Sequence, residues 1–350
     1  MVKFIFRCDG GNVSEIGTGH VSRCIYVADY LVLKKKAKIS DIKFICKSEG
    51  PYKDGYNILK ETKYKTIRIN NEIRNNSKKE AEIINKLTYD VLIIDRLKNT
   101  KSFISYINKI NKKIVSFDDV GLGSTKVNLA INGILGKKYN RSHILDGYQY
   151  IIINPVLKKE IRKSQKNVKN IFVSFGGYDK RNLNLFFLDS LEKNLTLLNK
   201  KINITLFIGN PSNRIENKID NYRNKLNKNF NINIRYFKFN KKFYSLIKKS
   251  DLFISAGGIT VFHLIFLGIP LIALPQYKHQ LKTLKKLEKK NSLIIGSKSM
   301  KLDEMYFRRK FNDLINFSSY RDKIKSNAEQ IIDGKGIERI VNEMQLRNLF

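Results

Sequence analysis

The feature that most constrains the fold of this chain is an apolar segment that runs through a glycine-rich turn into a helix. Residues 2–6 (Val-Lys-Phe-Ile-Phe) are the kind of apolar, β-branched run that predicts a buried first strand. Apolar residues recur at helical spacing over residues 21–34. A helix that begins directly after such a turn presents free N–H groups and the positive end of its dipole, which suits an anionic ligand.

Four residues at this turn are candidate site residues. Gly17 and Gly19 allow the backbone to approach a ligand closely. His20 stands where the helix begins, and its imidazole can take up a proton near neutral pH, so it is a candidate general base. Arg23 follows one helical turn later and is a candidate substrate-binding residue. A plain turn with a solvated or capping histidine would give the same local sequence, and that interpretation stays open here.

The first half alternates predicted strands with predicted helices. Further strands are predicted at residues 43–46, 66–69, 90–95, 113–117 and 129–132. This alternation predicts an α/β fold with a doubly wound parallel sheet. Ligands bind such sheets beyond the carboxyl ends of the strands, where Gly17, Asp95 and Asp118 all fall. Asp95 is therefore a candidate binding residue, whereas Asp118 fits a turn or cap equally well.

The second half repeats the same unit. Strands are predicted at residues 170–175, 203–209, 232–237, 251–255 and 271–274. Two glycine pairs directly follow the first and fourth of these strands, and they are candidate phosphate-binding turns: Gly176, Gly177, Gly257 and Gly258, with the hydroxyl of Thr260 beside them. The sequence predicts a domain over residues 1–155 and a second over residues 156–350, joined by the weakly periodic segment 133–168. The tail from residue 303 to residue 346 is predicted to be helical.

Residues 7–24, with the pattern Gly17-Thr18-Gly19-His20-Val21-Ser22-Arg23, resemble a known N-terminal signature. It is that of the UDP-sugar hydrolase of pseudaminic acid biosynthesis, and spore-coat-polysaccharide-type predicted glycosyltransferases share it. In that family the histidine of the motif is catalytic, which assigns catalysis to His20. The segments Asp95-Arg96-Leu97 and Ala130-Ile131-Asn132-Gly133 are similar to the spore-coat-polysaccharide branch, whereas the hydrolases carry Asp-His-Tyr at the first of these places.

The second half resembles the C-terminal domain of family 28 glycosyltransferases. The residues that carry the resemblance are Ser255 to His263, Leu267-Gly268-Ile269-Pro270 and His279-Gln280. The resemblance implies the GT-B architecture, in which two Rossmann-like domains face a cleft, and it places Gln280 near the sugar or the phosphates. His263 occupies the position of the acid that grips the ribose of UDP, and His279 replaces an asparagine.

These features together predict an inverting nucleotide-sugar hydrolase of nonulosonic acid or surface polysaccharide biosynthesis, with a UDP-sugar as its substrate. Two alternatives stay open at this stage: transfer of the sugar to another acceptor, and a non-catalytic subunit that binds a nucleotide sugar. No cofactor and no metal are expected, because backbone amides and lysines can neutralise the phosphates and no Asp-x-Asp carboxylate pair stands out.

Composition limits the remaining classes. The formal net charge is +36, and 51 of the 67 basic residues are lysine, spread over the whole length without an arginine-rich arm. This distribution argues against nucleic-acid binding and suits weak attachment to an anionic membrane surface. Three early cysteines without metal-ligand spacing indicate a reducing compartment. Because the sequence opens directly on a predicted strand and has no run as long as a membrane span, a cytoplasmic location is expected.

Overall fold

The structure is a computed structural model. It describes residues 2–13, 16–70, 73, 76–108, 112–134, 141–159, 165–194, 201–209, 211–229, 232–238 and 243–350. The chain forms two compact units: unit 1 comprises residues 1–155 and 334–350, and unit 2 comprises residues 156–333. The tail from residue 334 therefore belongs to unit 1, which corrects the prediction that placed it in the second domain.

Unit 1 is built on a parallel sheet with the strand order β3-β2-β1-β4-β5-β6-β7. Its elements are β1 (Phe4–Cys8), α1 (Gly19–Leu33), β2 (Ile42–Lys47), α2 (Lys53–Lys60), β3 (Lys65–Ile69), α3 (Ser77–Asn85), β4 (Val91–Asp95), α4 (Lys101–Asn108), β5 (Lys113–Phe117), β6 (Leu129–Asn132), β7 (Ile144–Asp146) and α12 (Gly336–Leu346). The sheet continues into β7, which lies inside the predicted linking segment. A strand of three residues is too short for periodicity to reveal.

Unit 2 repeats the plan with the strand order β10-β9-β8-β11-β12-β13, also parallel. Its elements are β8 (Asn170–Ser174), α5 (Leu183–Glu192), β9 (Ile202–Ile208), α6 (Asn213–Asn229), β10 (Ile232–Lys238), α7 (Phe243–Ile247), β11 (Leu252–Ala256), α8 (Ile259–Phe266), β12 (Leu271–Leu274), α9 (Lys278–Lys289), β13 (Ile294–Ile295), α10 (Glu304–Asn316) and α11 (Ser318–Glu329). The strand predictions are confirmed in both halves, with ends that differ by no more than two residues.

In each sheet the strand order reverses at one point, between β1 and β4 in unit 1 and between β8 and β11 in unit 2. The helices that follow the two neighbouring strands lie on opposite faces there, so a crevice opens at the carboxyl ends of the strands. The glycine turn before His20 follows β1, and the turns with Gly176 and Gly257 follow β8 and β11. The predicted site residues therefore lie at the two switch points.

Helix α12 completes the core of unit 1. Its apolar face is buried in the same cluster as β1 and α1, through Ile337, Ile340, Val341 and Met344. Gly336 begins the helix so close to the chain of residue 151 that an added Cβ atom would lie 2.0 Å from the Ile151 carbonyl oxygen. A backbone atom cannot move away as a flexible side chain can, so glycine is required at this contact.

We expect Gly336→Ala to destabilise unit 1 by about 1–3 kcal/mol, the usual cost of overpacking a tight contact. Helix propensity alone predicts that the variant is more stable than the parent, because alanine is favoured over glycine by about 1 kcal/mol inside a helix. Urea unfolding followed by circular dichroism measures the change. Gly177→Ala is the control, since no atom lies within 4 Å of its added Cβ; equal stability of the two variants would contradict the role of the contact.

Candidate active site

In the turn between β1 and α1, the backbone requires glycine at Gly11 but not at Gly17. Gly11 has φ +145°, and an added Cβ would lie 2.0 Å from the Pro51 carbonyl oxygen, so only glycine fits. The Gly11 N–H donates to the Gly17 carbonyl oxygen at 3.3 Å and closes the loop. Gly17 itself is exposed with no atom within 4 Å of an added Cβ. Packing does not require glycine there, and the backbone is accessible to a ligand.

Helix α1 begins at Gly19 without help from a side chain. Thr18 at the N-cap makes no side-chain capping bond, and the first turn contains no acidic residue. The first N–H groups of a helix have no partner within the helix, and they carry a partial positive charge. The start of α1 is thus arranged to accept a negative charge from outside the helix.

His20 is held by a carboxylate that is completely buried. The His20 Nδ1 atom lies 2.5 Å from Asp95 Oδ1 at the end of β4, and the His20 side chain is 14% exposed while Asp95 is 0% exposed. Register explains the contact, because Asp95 pairs with Cys8, the last residue of β1. With the Nδ1–H group donating to Asp95, the Nε2 atom carries the lone pair. The imidazole therefore has the tautomer and the support that a general base needs.

Arg23 joins this dyad to the next strand. Its Nε and Nη2 atoms donate to Asp95 at 3.0 and 2.6 Å, and its Nη1 atom donates to Asp118 Oδ2 at 2.5 Å. Asp118 stands directly after β5 with φ +45°, a conformation that only a few non-glycine residues adopt. Its other oxygen accepts the Ile134 N–H at 2.8 Å. We define the residues His20, Arg23, Asp95 and Asp118 as the charge cluster.

The opposite charges in this cluster keep Asp95 and Arg23 ionised. Burial alone raises the pKa of Asp95, but the charge of Arg23 and the contact with His20 outweigh it, so the pKa lies below its ordinary value. Burial likewise disfavours the charged Arg23 guanidinium, yet Asp95 and Asp118 together raise its pKa above the ordinary value. Asp95 is thus ionised at neutral pH and can stabilise a positive charge that forms on His20.

A second network of buried charges lies on the other side of β1. Arg7 is 0% exposed and donates to both oxygens of Asp9, at 2.6 and 2.8 Å, and to Glu80 Oε1 at 2.6 Å. Arg96 forms an ion pair with the same Glu80 and lies over the Phe103 ring, with 4.6 Å between the guanidinium carbon and the ring centroid. Burial, with the nearby Arg7 charge, lowers the pKa of Arg96 to about 9. This network fixes Asp9, the first residue of the glycine turn.

In unit 2 two of the predicted glycine turns leave open space. An added Cβ at Gly176, Gly177 or Gly258 would meet no atom within 4 Å, although Gly176 has φ +83°. Gly257 differs, because its Cβ would lie 2.8 Å from Gln280 Cβ. Helix α8 begins after Gly258 with no side-chain cap and no acidic residue in its first turn. The open turns and this helix start have the geometry that a phosphate group requires.

Two glutamines connect the turns of unit 2. Gln280 Oε1 accepts the Gln276 N–H at 2.8 Å, and the Gln276 side chain donates to the Phe175 carbonyl oxygen at 2.5 Å and accepts the Lys180 N–H at 3.1 Å. The turns after β8 and β12 are thereby fixed to each other. Gln276 had no signal in the sequence, because a glutamine that binds backbone groups across a sheet belongs to no local pattern.

Thr260 and His263 both lie on α8 but differ in exposure. Thr260 is half-buried in the first turn, beside the open space at Gly258. His263 is 1% exposed, and its Nδ1 atom lies 3.4 Å from the Tyr244 hydroxyl. Burial lowers the pKa of His263 to about 3, so the imidazole is neutral at neutral pH. Burial leaves the His263 ring almost no exposed surface for the predicted ribose contact.

The structure thus brings the predicted site residues together in two groups. His20, Arg23 and Asp95 share contacts in unit 1, with Gly17 and Gly19 at the adjoining turn. The second group gathers at the carboxyl ends of the unit 2 strands: Gly176, Gly177, Gly257, Gly258, Thr260 and Gln280. Sequence reasoning named Asp118 without assigning its role, and it missed Arg7 and Glu80. A buried arginine following an apolar strand is a signal that could have revealed the Arg7 network.

Comparison with known proteins identifies the family. Residues 156–330, half of the chain, match the glycosyltransferase family 28 C-terminal domain. The chain belongs to this family. This family 28 chain is 26% identical over 272 residues to the spore coat polysaccharide biosynthesis protein SpsG of Bacillus subtilis, covering 73% of the chain and 76% of that protein. It is 31% identical over 283 residues to an uncharacterised protein of Methanocaldococcus jannaschii, covering 76% of the chain but only about half (54%) of that protein.

Solved structures with low sequence identity share the fold. MurG of Acinetobacter baumannii has a TM-score of 0.68 at 13% identity, covering 98% of this chain and 99% of its own. The Staphylococcus aureus MnaA–UDP complex has a TM-score of 0.64 at 14% identity, covering 100% and 98%. The UDP-GlcNAc 2-epimerase of Neisseria meningitidis, bound to UDP-GlcNAc, has a TM-score of 0.62 at 12% identity, covering 98% and 99%. The family 28 chain thus has two parallel-sheet α/β domains of the kind found in GT-B glycosyltransferases and epimerases.

Two kinds of feature are absent from the residues that the structure describes. Within the described ranges, no helix combines the length and apolar character needed to cross a membrane. Over the same part of the chain, no three His, Cys, Asp or Glu side chains are grouped so that they could hold a metal ion.

We expect Asp95→Asn to destabilise unit 1 by about 3–5 kcal/mol, because it leaves the buried Arg23 guanidinium with one carboxylate instead of two. A carboxylate with a lowered pKa contributes stability that is complete above its unfolded-state pKa and is lost as the pH falls through its folded-state pKa. The difference in the free energy of unfolding between the parent protein and Asp95→Asn should therefore be constant near neutral pH and become smaller at acidic pH. Urea unfolding at a series of pH values measures it.

The control for this variant is Glu343→Gln, which removes a half-exposed ion pair with Arg347 at 3.3 Å. Such pairs contribute about 0–1 kcal/mol, so this variant should remain close to the parent at every pH. If Asp95→Asn behaves like Glu343→Gln, then Asp95 does not hold the Arg23 charge.

Proposed function

We propose that this chain is an enzyme that acts on a nucleotide-activated sugar, and that it hydrolyses the bond between the anomeric carbon and the diphosphate. The observation that carries the proposal is the His20–Asp95 dyad, in which a partly exposed imidazole at a helix start contacts a fully buried carboxylate at 2.5 Å. A purely structural histidine has no need of a buried negative charge behind it, whereas a general base gains from one when it takes up a proton.

In the proposed reaction His20 activates water. A water molecule attacks the anomeric carbon and gives its proton to His20 Nε2, while the bond to the diphosphate oxygen breaks and its electron pair leaves with the nucleotide. Asp95 accepts the Nδ1–H bond throughout and stabilises the imidazolium that forms. Arg23 and Asp118 hold Asp95 in place and ionised. Because water enters opposite the leaving group, a single displacement inverts the anomeric carbon.

The leaving diphosphate is assigned to the turns of unit 2. The open turns at Gly177 and Gly258 and the uncapped start of α8 offer backbone N–H groups, and Thr260 adds a hydroxyl. Gln280 stands beside Gly257, and it is proposed to lie near the sugar or the phosphates. UDP is the proposed nucleotide, supported by the UDP and UDP-GlcNAc complexes among the proteins of similar fold. Nonulosonic acid or surface polysaccharide synthesis is the proposed pathway, supported by the similarity to SpsG.

Transfer of the sugar to another acceptor is the second candidate function, and the family 28 match of residues 156–330 is compatible with it. The chemistry differs only in the nucleophile, since His20 would take its proton from an acceptor hydroxyl instead of water. Incubating the purified protein with a panel of nucleotide sugars, with and without candidate acceptors, separates the two when the sugar is followed by NMR. Free inverted sugar without acceptor supports hydrolysis, whereas turnover that requires an acceptor supports transfer. Binding without any turnover contradicts both.

We expect His20→Asn to lower turnover about a hundredfold or more, the usual contribution of a general base, while UDP affinity stays within a few fold. His143→Asn is the control, because His143 is the other histidine of unit 1 and has no contact with the charge cluster in the described residues. Steady-state rates and calorimetric titration with UDP measure the two effects. Normal turnover of His20→Asn would show that His20 is not the base.

We expect Gly258→Ala to weaken UDP binding at least tenfold without changing stability. Its added Cβ meets no protein atom within 4 Å, so the fold accommodates it, but the methyl group occupies space assigned to the phosphate. Calorimetric titration with UDP measures binding, and thermal unfolding measures stability. UDP affinity equal to that of the parent would remove Gly258 from the proposed site.

A further inference from the structure

Unit 2 contains a cavity whose lining residues have no role in the proposed site. It is partly open to solvent, has a volume of about 130 Å³, and lies between the start of α5 and the loop that connects β9 to α6. A single buried water needs roughly 10–15 Å³ of cavity volume, so the cavity has room for a compact small molecule. Its walls are polar at the α5 end and apolar along α6.

The cavity is separated from the predicted phosphate turn by backbone. An added Cβ at Gly209 would lie 1.9 Å from the Gly177 carbonyl oxygen, so the loop after β9 packs directly on the turn after β8. The cavity is lined by residues from the end of β9, the first half of α6 and the segment around the start of α5, and the glycines of the predicted phosphate turn are not among them. The two places are neighbours but do not share their lining residues.

One polar atom in the wall has no hydrogen-bond partner. Asn184 is 4% exposed; its Nδ2 atom donates to Asp179 Oδ2 at 2.8 Å, while its Oδ1 atom has no donor within the described residues. A buried carbonyl oxygen without a donor is costly, and native proteins usually satisfy such an atom with a ligand or water. Since Asn184 lines the cavity, the missing donor can come from a molecule bound there.

The charged side chain of the wall has most of its hydrogen-bonding capacity in use. Asp179 is the charged residue of the lining, and its two oxygens already accept the N–H groups of Leu183 and Asn184 as well as the Asn184 side chain, each at 2.8 Å. What is left for a ligand is the Asn184 oxygen, the Asn182 side chain and the Ser212 hydroxyl. Such groups exchange hydrogen bonds with hydroxyls and do not compensate a full charge.

The opposite wall is apolar, because Ile208, Ile215 and Ile219 form it. A ligand that satisfies both walls needs hydroxyl groups along one edge and carbon–hydrogen surface on a face. A sugar ring has both in a compact form. We propose that this cavity is a binding site for a neutral sugar, separate from the proposed nucleotide site.

The test measures binding of free monosaccharides by saturation-transfer NMR, with saturating UDP present so that the proposed nucleotide site is filled. The probes are glucose, galactose, mannose, N-acetylglucosamine and N-acetylgalactosamine. We expect at least one of them to bind the full chain. Ser212→Trp places an indole from the exposed rim into the cavity without altering the buried wall, and it should weaken that binding at least tenfold. Asn184→Leu removes the unpartnered oxygen and should weaken it similarly.

The matched control is Ser319→Trp, an exposed serine on α11 that does not line the cavity, and it should bind the sugar as the parent does. Binding of none of the five sugars, or equal binding by Ser212→Trp and Ser319→Trp, overturns the proposal. Ser212→Trp keeps the test valid if Asn184→Leu fails to fold. The affinity for UDP is measured for each variant, so loss of sugar binding with intact UDP binding distinguishes this site from the proposed nucleotide site.

Discussion

The organisation of unit 1 depends on one buried guanidinium. Arg23 is 3% exposed, and the desolvation of a charged group is expensive unless partners surround it. Two carboxylates from different strand ends, Asp95 and Asp118, supply that compensation. Compensating the Arg23 charge therefore requires the start of α1 and the ends of β4 and β5 to lie at fixed positions relative to one another. The proposed catalytic role of His20 depends on the same carboxylate, because Asp95 contacts both the arginine and the histidine.

The two units use the same topology with different chemistry at the switch point. Unit 1 places side-chain charges there, in the charge cluster and in the network around Arg7. Unit 2 places open glycine turns and an uncapped helix start there, tied by two glutamines. Charged side chains suit proton transfer, whereas backbone amides bind an anion without competing charges. This contrast supports the proposal that unit 1 supplies the catalytic side chains and unit 2 binds the nucleotide.

Much of this arrangement could be predicted because it is local. The turn before His20 and the glycine pairs after β8 and β11 follow from apolar runs ending in glycine. The predicted parallel sheet also placed Asp95 and Asp118 at the same edge as Gly17, but the specific side-chain pairs between distant residues could not be predicted. Arg23 and Asp118 are 95 residues apart, and Arg7 and Glu80 are 73 apart. No local pattern encodes such pairs, since register and sheet order bring them together only after folding.

The same limit explains why the tail was assigned to the wrong domain. Its amphipathic pattern predicts helices but not the surface on which they pack, and α12 packs with β1 and α1. Unit 1 is therefore discontinuous, with the whole of unit 2 inserted before its last helix. Domains generally fold in the order in which a ribosome releases them. During synthesis, all residues of unit 2 are therefore released before α12 is. The core around the sheet that carries His20 is completed only when α12 has been released and packs on it.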